Sequence, residues 1–288
     1  MTVVIATYNQ GRYVGMAIRS ILDQDYPCLE LIVVDDGSTD ETPAVLEEFV
    51  DDPRVRILRQ PNQGQTIAKN RGCREARGKY LGFCDGDDFW LPGKLGTQVP
   101  IMEADEGIAV VYGESRWIDS EGREVPTYRA KRYSGQITAQ LLIENFITFP
   151  TVLVRRSAFE DLGGFDERLT MSIDYDLWLR MSVAHGFRYI PQVFACYRIW
   201  DGQMSARVEE RLRNAMALLE RFHEANPDAV SGMVRRRARA YTLTTRGLWL
   251  ARSGRSREAY RDLLRAVILW PASKRTWKGL TKLGLRRV

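Results

Sequence analysis

The chain alternates, up to about residue 90, between short β-branched runs and segments with helical periodicity. Four runs are typical of strands buried on both faces of a sheet: Thr2–Thr7, Leu29–Val34, Val55–Leu58 and Lys79–Cys84. Helical spacing is clearest in the segment 12–24, whose apolar residues are Val14, Ile18, Ile21 and Leu22. This alternation of strand and helix predicts an α/β fold with a mostly parallel sheet flanked by helices.

The pattern changes twice after Pro92. Ile108–Gly113 predicts one more strand, and Asp174–Gly186 predicts a helix that ends at its glycine. Beyond Ser205 the strand signals stop, and the chain is expected to form about four helices. We therefore predict a domain over residues 1–205 and a small all-α region over residues 206–288. Within that region, Ala251–Pro271 resembles one tetratricopeptide-like helix pair.

Composition and charge exclude several classes of protein. No apolar run reaches the roughly 18 residues needed to cross a bilayer, and the N-terminus lacks the pattern of a secretory leader, so a cytoplasmic protein is expected. The four cysteines have no paired spacing, which argues against a zinc site or a disulfide framework. Charge is divided unevenly: residues 205–288 hold 20 Lys and Arg against 7 Asp and Glu.

Polar segments follow three of the predicted strands. TYN comes after the first strand, DDGS after the second and DGDD after the fourth. The carboxyl ends of neighbouring parallel strands meet at one edge of a sheet, where open α/β proteins bind their ligands. Turns also favour Asp, Asn and Gly, so any one of these segments alone is compatible with an ordinary loop.

Three carboxylates lie close together in the third of these segments: Asp85, Asp87 and Asp88. Neighbouring carboxylates repel one another unless a positive charge lies between them. Oxygen ligands suit Mg²⁺ or Mn²⁺, which are usually held by one or two carboxylates together with substrate phosphates. The sequence contains neither a P-loop nor a G-x-G-x-x-G turn, so the expected ligand is an activated donor with a nucleoside diphosphate leaving group.

Five ordered motifs resemble those of the inverting family 2 glycosyltransferases, which have the GT-A fold. They are VVIATYN, LIVVDDGSTDET, NQGQTIAKNRG, GKYLGFCDGDDFWLPGKL and GGFDERLTMSIDYDLWLR, and the resemblance covers about residues 2–205. It implies metal-dependent transfer of one sugar from a nucleoside-diphosphate sugar, with a UDP-sugar favoured. The implied acceptor is a hydroxyl of a saccharide or of a lipid-linked saccharide, in cell-surface polysaccharide or lipopolysaccharide synthesis.

The resemblance also implies roles for individual residues. The nucleoside pocket would be lined by Thr7, Tyr8 and Asn9, with Asp36 accepting a hydrogen bond from the base. Lys69 and Asn70 would close over the nucleotide. Asp85 and Asp87 match the two acids of the D-x-D motif, so Asp87 would bind the metal and Asp85 would face the donor or share the metal.

Asp174 matches the catalytic base of the family. An inverting transferase needs a base that takes the proton of the acceptor hydroxyl during in-line attack. Asp176 is the competing candidate, although at its position it would also complement the dipole of the predicted helix.

One position departs from the family pattern. Relatives often carry a histidine where this chain has Trp200, so the resemblance leaves the third metal contact open. Arg198 is a candidate for the diphosphate or an ordinary surface arginine. The Q-x-x-R-W motif of the processive synthases is missing from the sequence, which indicates a non-processive enzyme.

The basic C-terminal helices suggest a partner of their own. Arginines combined with tryptophans are typical of helices that lie on a membrane surface, but they also occur on solvated helical bundles. Nucleic acid is not expected, because no recognised binding module accompanies the charge. Two rival functions stay open: a polyprenyl-phosphate sugar synthase of the same fold, which needs no base, and a non-catalytic protein that binds sugar nucleotides.

Overall fold

The computed structural model describes residues 1–127 and 130–285. Residues 286–288, the end of the predicted basic region, lie outside the described residues. The described chain divides into two compact units. The first comprises residues 1–137 and 146–203, and the second comprises residues 138–145 and 204–288.

The first unit is built on an eight-stranded sheet with the order β3-β2-β1-β4-β7-β6-β8-β5. Its strands are β1 (Thr2–Thr7), β2 (Glu30–Asp35), β3 (Val55–Arg59), β4 (Tyr80–Phe83), β5 (Phe89–Trp90), β6 (Ile108–Ile118), β7 (Leu153–Arg155) and β8 (Gly186–Arg198). The strands from β3 to β4 in this order run parallel, as predicted, and β6 pairs in parallel with β8. The short strands β7 and β5 pair antiparallel with their neighbours.

Eleven α-helices occur among the described residues. In chain order they are α1 (Gly11–Leu22), α2 (Thr42–Glu47), α3 (Gln65–Arg74), α4 (Lys94–Ala104), α5 (Thr138–Ile143), α6 (Arg156–Asp161), α7 (Ile173–Ala184), α8 (Val208–Ala225), α9 (Gly232–Arg252), α10 (Ser256–Leu269) and α11 (Lys274–Leu285). Helices α5 and α8 to α11 belong to the second unit. No helix in the described ranges is long and apolar enough to span a bilayer.

Helices α1 and α3 pack against β1 in the core of the first unit. Val14, Ile18 and Ile21 of α1 are fully buried and belong to the same apolar cluster as Val3 and Ile5 of β1. At Gly72, helix α3 approaches β1 so closely that a Cβ added there would lie only 2.5 Å from the Val4 side chain. The predicted α/β architecture is therefore confirmed, with a mixed sheet whose parallel half carries the site.

Candidate functional site

The end of β1 is tied to the loop that follows β2. Asn9 has a left-handed backbone with φ of 53°, and its side-chain oxygen accepts a hydrogen bond of 2.8 Å from the backbone N–H of Thr39. Thr7 is buried and donates to the Gln10 side chain, whereas Tyr8 is 46% exposed. The predicted nucleoside-pocket residues thus meet at the expected sheet edge. Of the three, Tyr8 presents an open ring surface, and their contact with a nucleoside stays a prediction.

Asp36 fixes the loop between β3 and α3. Its carboxylate accepts hydrogen bonds from the Gln60 side chain (2.7 Å) and from the backbone N–H groups of Gln63 (2.9 Å) and Gly64 (2.8 Å). The residue is 3% exposed. A carboxylate offers about four lone-pair sites, so these three bonds leave little capacity for a nucleoside base. Asp36 therefore holds the loop at residues 60–64 in place. A hydrogen bond from a nucleoside base to Asp36 stays a prediction.

Lys69 lies beneath the acidic loop. Its ammonium group is 2.7 Å from a carboxylate oxygen of Asp85 and donates to the Gln65 side chain at 3.0 Å. It also lies 4.7 Å from the centre of the Phe149 ring, and its side chain is only 3% exposed. In this arrangement Lys69 supplies a buried positive charge to Asp85 from helix α3.

Asn70 joins α3 to the segment that leads into α7. Its side-chain N–H donates to the carbonyl of Phe165 and to Glu167, and its side-chain oxygen accepts from the backbone N–H of Phe165. Gln65 and Thr66 donate to carbonyls of the same segment, at residues 170 and 169. Both polar atoms of the Asn70 amide are therefore engaged within the protein, and the helix that bears the predicted base is fastened to the helix that bears Lys69.

The acidic loop holds its three carboxylates in different surroundings. Asp85 is partly exposed and paired with Lys69, whereas Asp88 is 2% exposed. One oxygen of Asp88 accepts from the backbone N–H of Arg198 at 2.8 Å, and the other is buried without a hydrogen-bond partner. Burial, followed by the charges of Asp87 and Asp85, raises the pKa of Asp88 well above its ordinary value. Burial and the charge of Asp85 likewise raise the pKa of Asp87.

Trp200 donates its indole N–H to the carboxylate of Asp87 at 2.7 Å. The sequence shows only that Trp200 departs from the family pattern, and its contact with Asp87 depends on the fold. The end of β8 is tied to the same loop by Arg198, which donates to the backbone carbonyl of Asp87 at 2.9 Å. The interpretation of Arg198 as an ordinary surface arginine is wrong, since it is 3% exposed and also donates to the carbonyl of Asp119. Its contact with a diphosphate stays a prediction.

The donor set fits a hard divalent cation shared with a diphosphate. Among residues 1–127 and 130–285, no group of three or more His, Cys, Asp or Glu side chains is arranged to hold a metal. The protein would therefore supply two carboxylates, from Asp85 and Asp87, and the phosphates would supply further oxygens. After burial, repulsion from Asp85 contributes to the raised pKa of Asp87, and a bound cation would offset that repulsion.

The two candidates for the base, Asp174 and Asp176, both lie on α7 but in different surroundings. Asp176 is 7% exposed and forms an ion pair of 2.8 Å with Arg180, which also donates to the carbonyls of Leu162 and Gly164. Asp174, in the first turn, is only partly buried. Arg180 thus holds α7 against the preceding loop while pairing with Asp176, and Asp174 is the more accessible acid. Its role as the base stays a prediction.

A sequence model described as Glycosyl transferase family 2 matches residues 2–163. Chondroitin synthase of Escherichia coli is 32% identical over 207 residues, which are 70% of this chain and 29% of that protein. An uncharacterized glycosyltransferase of Rickettsia prowazekii is 30% identical over 208 residues, 70% of this chain and 65% of the relative. This chain therefore spans less than a third of the first relative and just under two thirds of the second.

Solved structures share the fold at low sequence identity. S. aureus TarS in complex with UDP-GlcNAc superposes with a TM-score of 0.64 at 16% identity, covering 99% of this chain and 91% of that one. The mannosyltransferase PcManGT from Pyrobaculum calidifontis, in complex with GDP-Man and Mn²⁺, has a TM-score of 0.66 at 20% identity and covers 100% and 80% of the two chains. The GT-A-type fold is thus shown, and the matched family model covers more than half of the sequence. The chain belongs to glycosyl transferase family 2.

Proposed function

We propose that this enzyme transfers one sugar, with inversion, from a nucleoside-diphosphate sugar to a hydroxyl of a saccharide or a lipid-linked saccharide. The observation that carries the proposal is the linked set of contacts around the acidic loop. Lys69 reaches Asp85 and Trp200 reaches Asp87, while Asn70 binds Phe165 in the segment that leads into α7. A UDP-sugar is the favoured donor, and solved structures of the same fold hold UDP-GlcNAc and GDP-Man.

Asp87 and Asp85 would hold Mg²⁺ or Mn²⁺, which neutralises charge on the departing diphosphate when bound. Lys69 keeps Asp85 in place through its buried ion pair. Tyr8 offers its exposed ring to the nucleoside. Asp174 takes the proton of the acceptor hydroxyl, so the reaction is a single displacement that depends on positioning and on charge stabilisation.

The donor site is tested by thermal unfolding with UDP, GDP, dTDP or CDP, each with and without Mn²⁺. A nucleotide at 100 times its Kd adds about 2.7 kcal/mol of stability, which raises the Tm by about 5 °C or more in a chain of this size. We expect this shift with one nucleotide in the presence of metal, and expect Asp87→Asn to abolish it. If no nucleotide shifts the Tm with metal present, the donor-site proposal is wrong.

The base is tested by Asp174→Asn, with Asp51→Asn as the matched control because Asp51 is an exposed carboxylate after α2. Loss of a general base lowers kcat by about 100- to 10,000-fold, whereas the control should keep full activity. Donor-induced thermal shifts should persist in both variants. A nearly silent Asp174→Asn would instead favour a polyprenyl-phosphate acceptor, which is already an anion.

A lipid-linked acceptor would place the enzyme at the cytoplasmic face of a membrane, as a peripheral protein. This part of the proposal is supported by the excess of positive charge over residues 205–288, which contain 20 basic and 7 acidic residues.

A further inference from the structure

The outward face of α10 combines arginines with exposed apolar side chains. Within Ser256–Leu269, all of which the structure describes, the exposed positions recur at helical spacing and contain no acid: Arg257, Tyr260, Arg261, Leu264, Arg265 and Ile268. Ile268 is 71% exposed, Tyr260 45% and Leu264 43%. An isoleucine and a leucine held this open, one turn apart, are unusual on a face surrounded by water.

The two acids of α10 are neutralised within the helical unit. Asp262 is fully buried and accepts two hydrogen bonds from the guanidinium of Arg246, at 2.6 and 2.9 Å. Glu258 accepts two from Arg255, at 2.6 and 2.7 Å. The helix therefore buries its small and apolar residues on one side and directs three arginines outward on the other. Glu258 is the one carboxylate of α10 that water reaches, its side chain being 43% exposed, and Arg255 balances its charge.

The next helix repeats this combination. The exposed positions of α11 include Trp277, which is 49% exposed, and a row of lysines at Lys274, Lys278 and Lys282. An amphipathic helix with basic residues beside aromatic and aliphatic ones is the pattern that lies in the interface of a bilayer containing anionic lipid. On α10 the apolar row from Tyr260 to Ile268 is about 12 Å long, since a helix rises about 1.5 Å per residue.

We propose that the outward face of α10, defined by the six exposed residues above, docks onto an anionic lipid surface. The apolar row enters the boundary between headgroups and acyl chains, and the arginines bind the lipid phosphates. Lipid fits this face better than a folded partner, because three exposed apolar side chains in single file fall far short of the roughly 20 residues per side in a standard protein interface. The proposal deepens the proposed function by specifying how the enzyme reaches a lipid-linked acceptor.

The test is sedimentation of the full chain with vesicles of 30% phosphatidylglycerol in phosphatidylcholine, compared with pure phosphatidylcholine, in 0.1 M salt. Two variants divide the face: Leu264→Ser with Ile268→Ser removes the apolar row, and Arg261→Gln with Arg265→Gln removes charge. Arg211→Gln with Arg213→Gln is the charge-matched control, because both arginines are exposed on α8. Unchanged unfolding midpoints would show that each variant is folded.

We expect binding to the anionic vesicles only. The Arg261 and Arg265 pair should weaken it about 30-fold, since each basic residue near such a surface contributes about 1 kcal/mol. The Leu264 and Ile268 pair should weaken it at least about tenfold although the charge is unchanged. Binding should persist in the Arg211 and Arg213 control.

Three results would overturn the proposal: no sedimentation with anionic vesicles, an equal loss in the Arg211 and Arg213 control, or a self-associated chain that Leu264→Ser with Ile268→Ser converts to monomer. Donor-induced thermal shifts and turnover on a water-soluble acceptor do not require a membrane. A failure of lipid docking is therefore distinguishable from a failure of the proposed transfer reaction.

Discussion

Replacing Trp200 by phenylalanine isolates the hydrogen bond that the indole donates to Asp87. The aromatic ring is kept, including its packing at 6.0 Å between ring centres against Tyr13, while the N–H is lost. A hydrogen bond to an ionised group contributes about 1.5–3 kcal/mol, and loss of a group that orients a metal ligand typically weakens the metal site about 10- to 100-fold. Since indole is only a donor, Trp200 acts here by fixing the Asp87 carboxylate and not as a ligand.

The measurement is Mn²⁺ binding by electron paramagnetic resonance in the presence of UDP, followed by kcat and KM at rising Mn²⁺. We expect the Mn²⁺ midpoint of Trp200→Phe to rise about 10- to 100-fold, with activity largely restored at saturating metal. Trp117→Phe is the matched control, because the Trp117 indole nitrogen is buried without a hydrogen-bond partner. Its metal midpoint should equal that of the wild type.

The Mn²⁺ midpoint distinguishes a role of Trp200 in positioning Asp87 from a role in the overall stability of the protein. A purely structural role for Trp200 would lower the Tm and leave the Mn²⁺ midpoint unchanged in the folded fraction. An unchanged midpoint in Trp200→Phe would therefore refute the assigned role, whatever happens to the Tm. An equal rise in Trp117→Phe would also refute it, because that variant leaves the Asp87 bond intact.

Three further predictions concern stability. Arg180→Met should lower the free energy of unfolding in urea by about 2–4 kcal/mol, because Asp176 loses the partner of a largely buried pair; no loss would contradict this. Asn70→Ala should lower the free energy of unfolding by about 1–3 kcal/mol and increase proteolysis between residues 163 and 172, since the side-chain hydrogen bonds from Asn70 to Phe165 are removed. Unaltered cleavage in that segment would contradict this prediction. Burial, then the charges of Arg235 and Arg239, lower the pKa of His223, so the unfolded chain binds the extra proton and stability should fall as pH drops below about 6.5. His223→Leu should flatten that pH dependence. If urea titrations at pH 7 and pH 5 give the same change in the free energy of unfolding for the wild type and for His223→Leu, the histidine is excluded as the cause.

The strands and helices of the parallel half follow from local sequence. Thr2–Thr7 and Leu29–Val34 are apolar runs bounded by turn residues, and the apolar residues of α1 recur at helical spacing. These signals act within a few residues, so they survive without knowledge of the tertiary fold. The strand β8 (Gly186–Arg198) was not predicted, because its pattern is irregular and it is held mainly by its long pairing with β6.

Side-chain partners far apart in sequence were decided only in three dimensions. The spacing of Asp85 and Asp87 predicts an acidic loop, but nothing near them in sequence indicates that Lys69 lies under one and Trp200 beside the other. The same holds for Asp36, whose carboxylate is largely used by the loop of Gln60. Such contacts depend on which strand ends and loops meet in space.

The sequence by itself therefore determined the family, the α/β order and the position of the acidic loop, since each rests on motifs or periodicity within short segments. The tertiary structure decided how far each acid is buried. Arg180 follows Asp176 by four residues on the same helix, a spacing that the sequence shows, but only the fold brings Arg180 to the carbonyls of Leu162 and Gly164. In that arrangement Asp176 is 7% exposed, whereas Asp174 is only partly buried. Contacts between separate segments of the chain, which no local pattern encodes, set that difference.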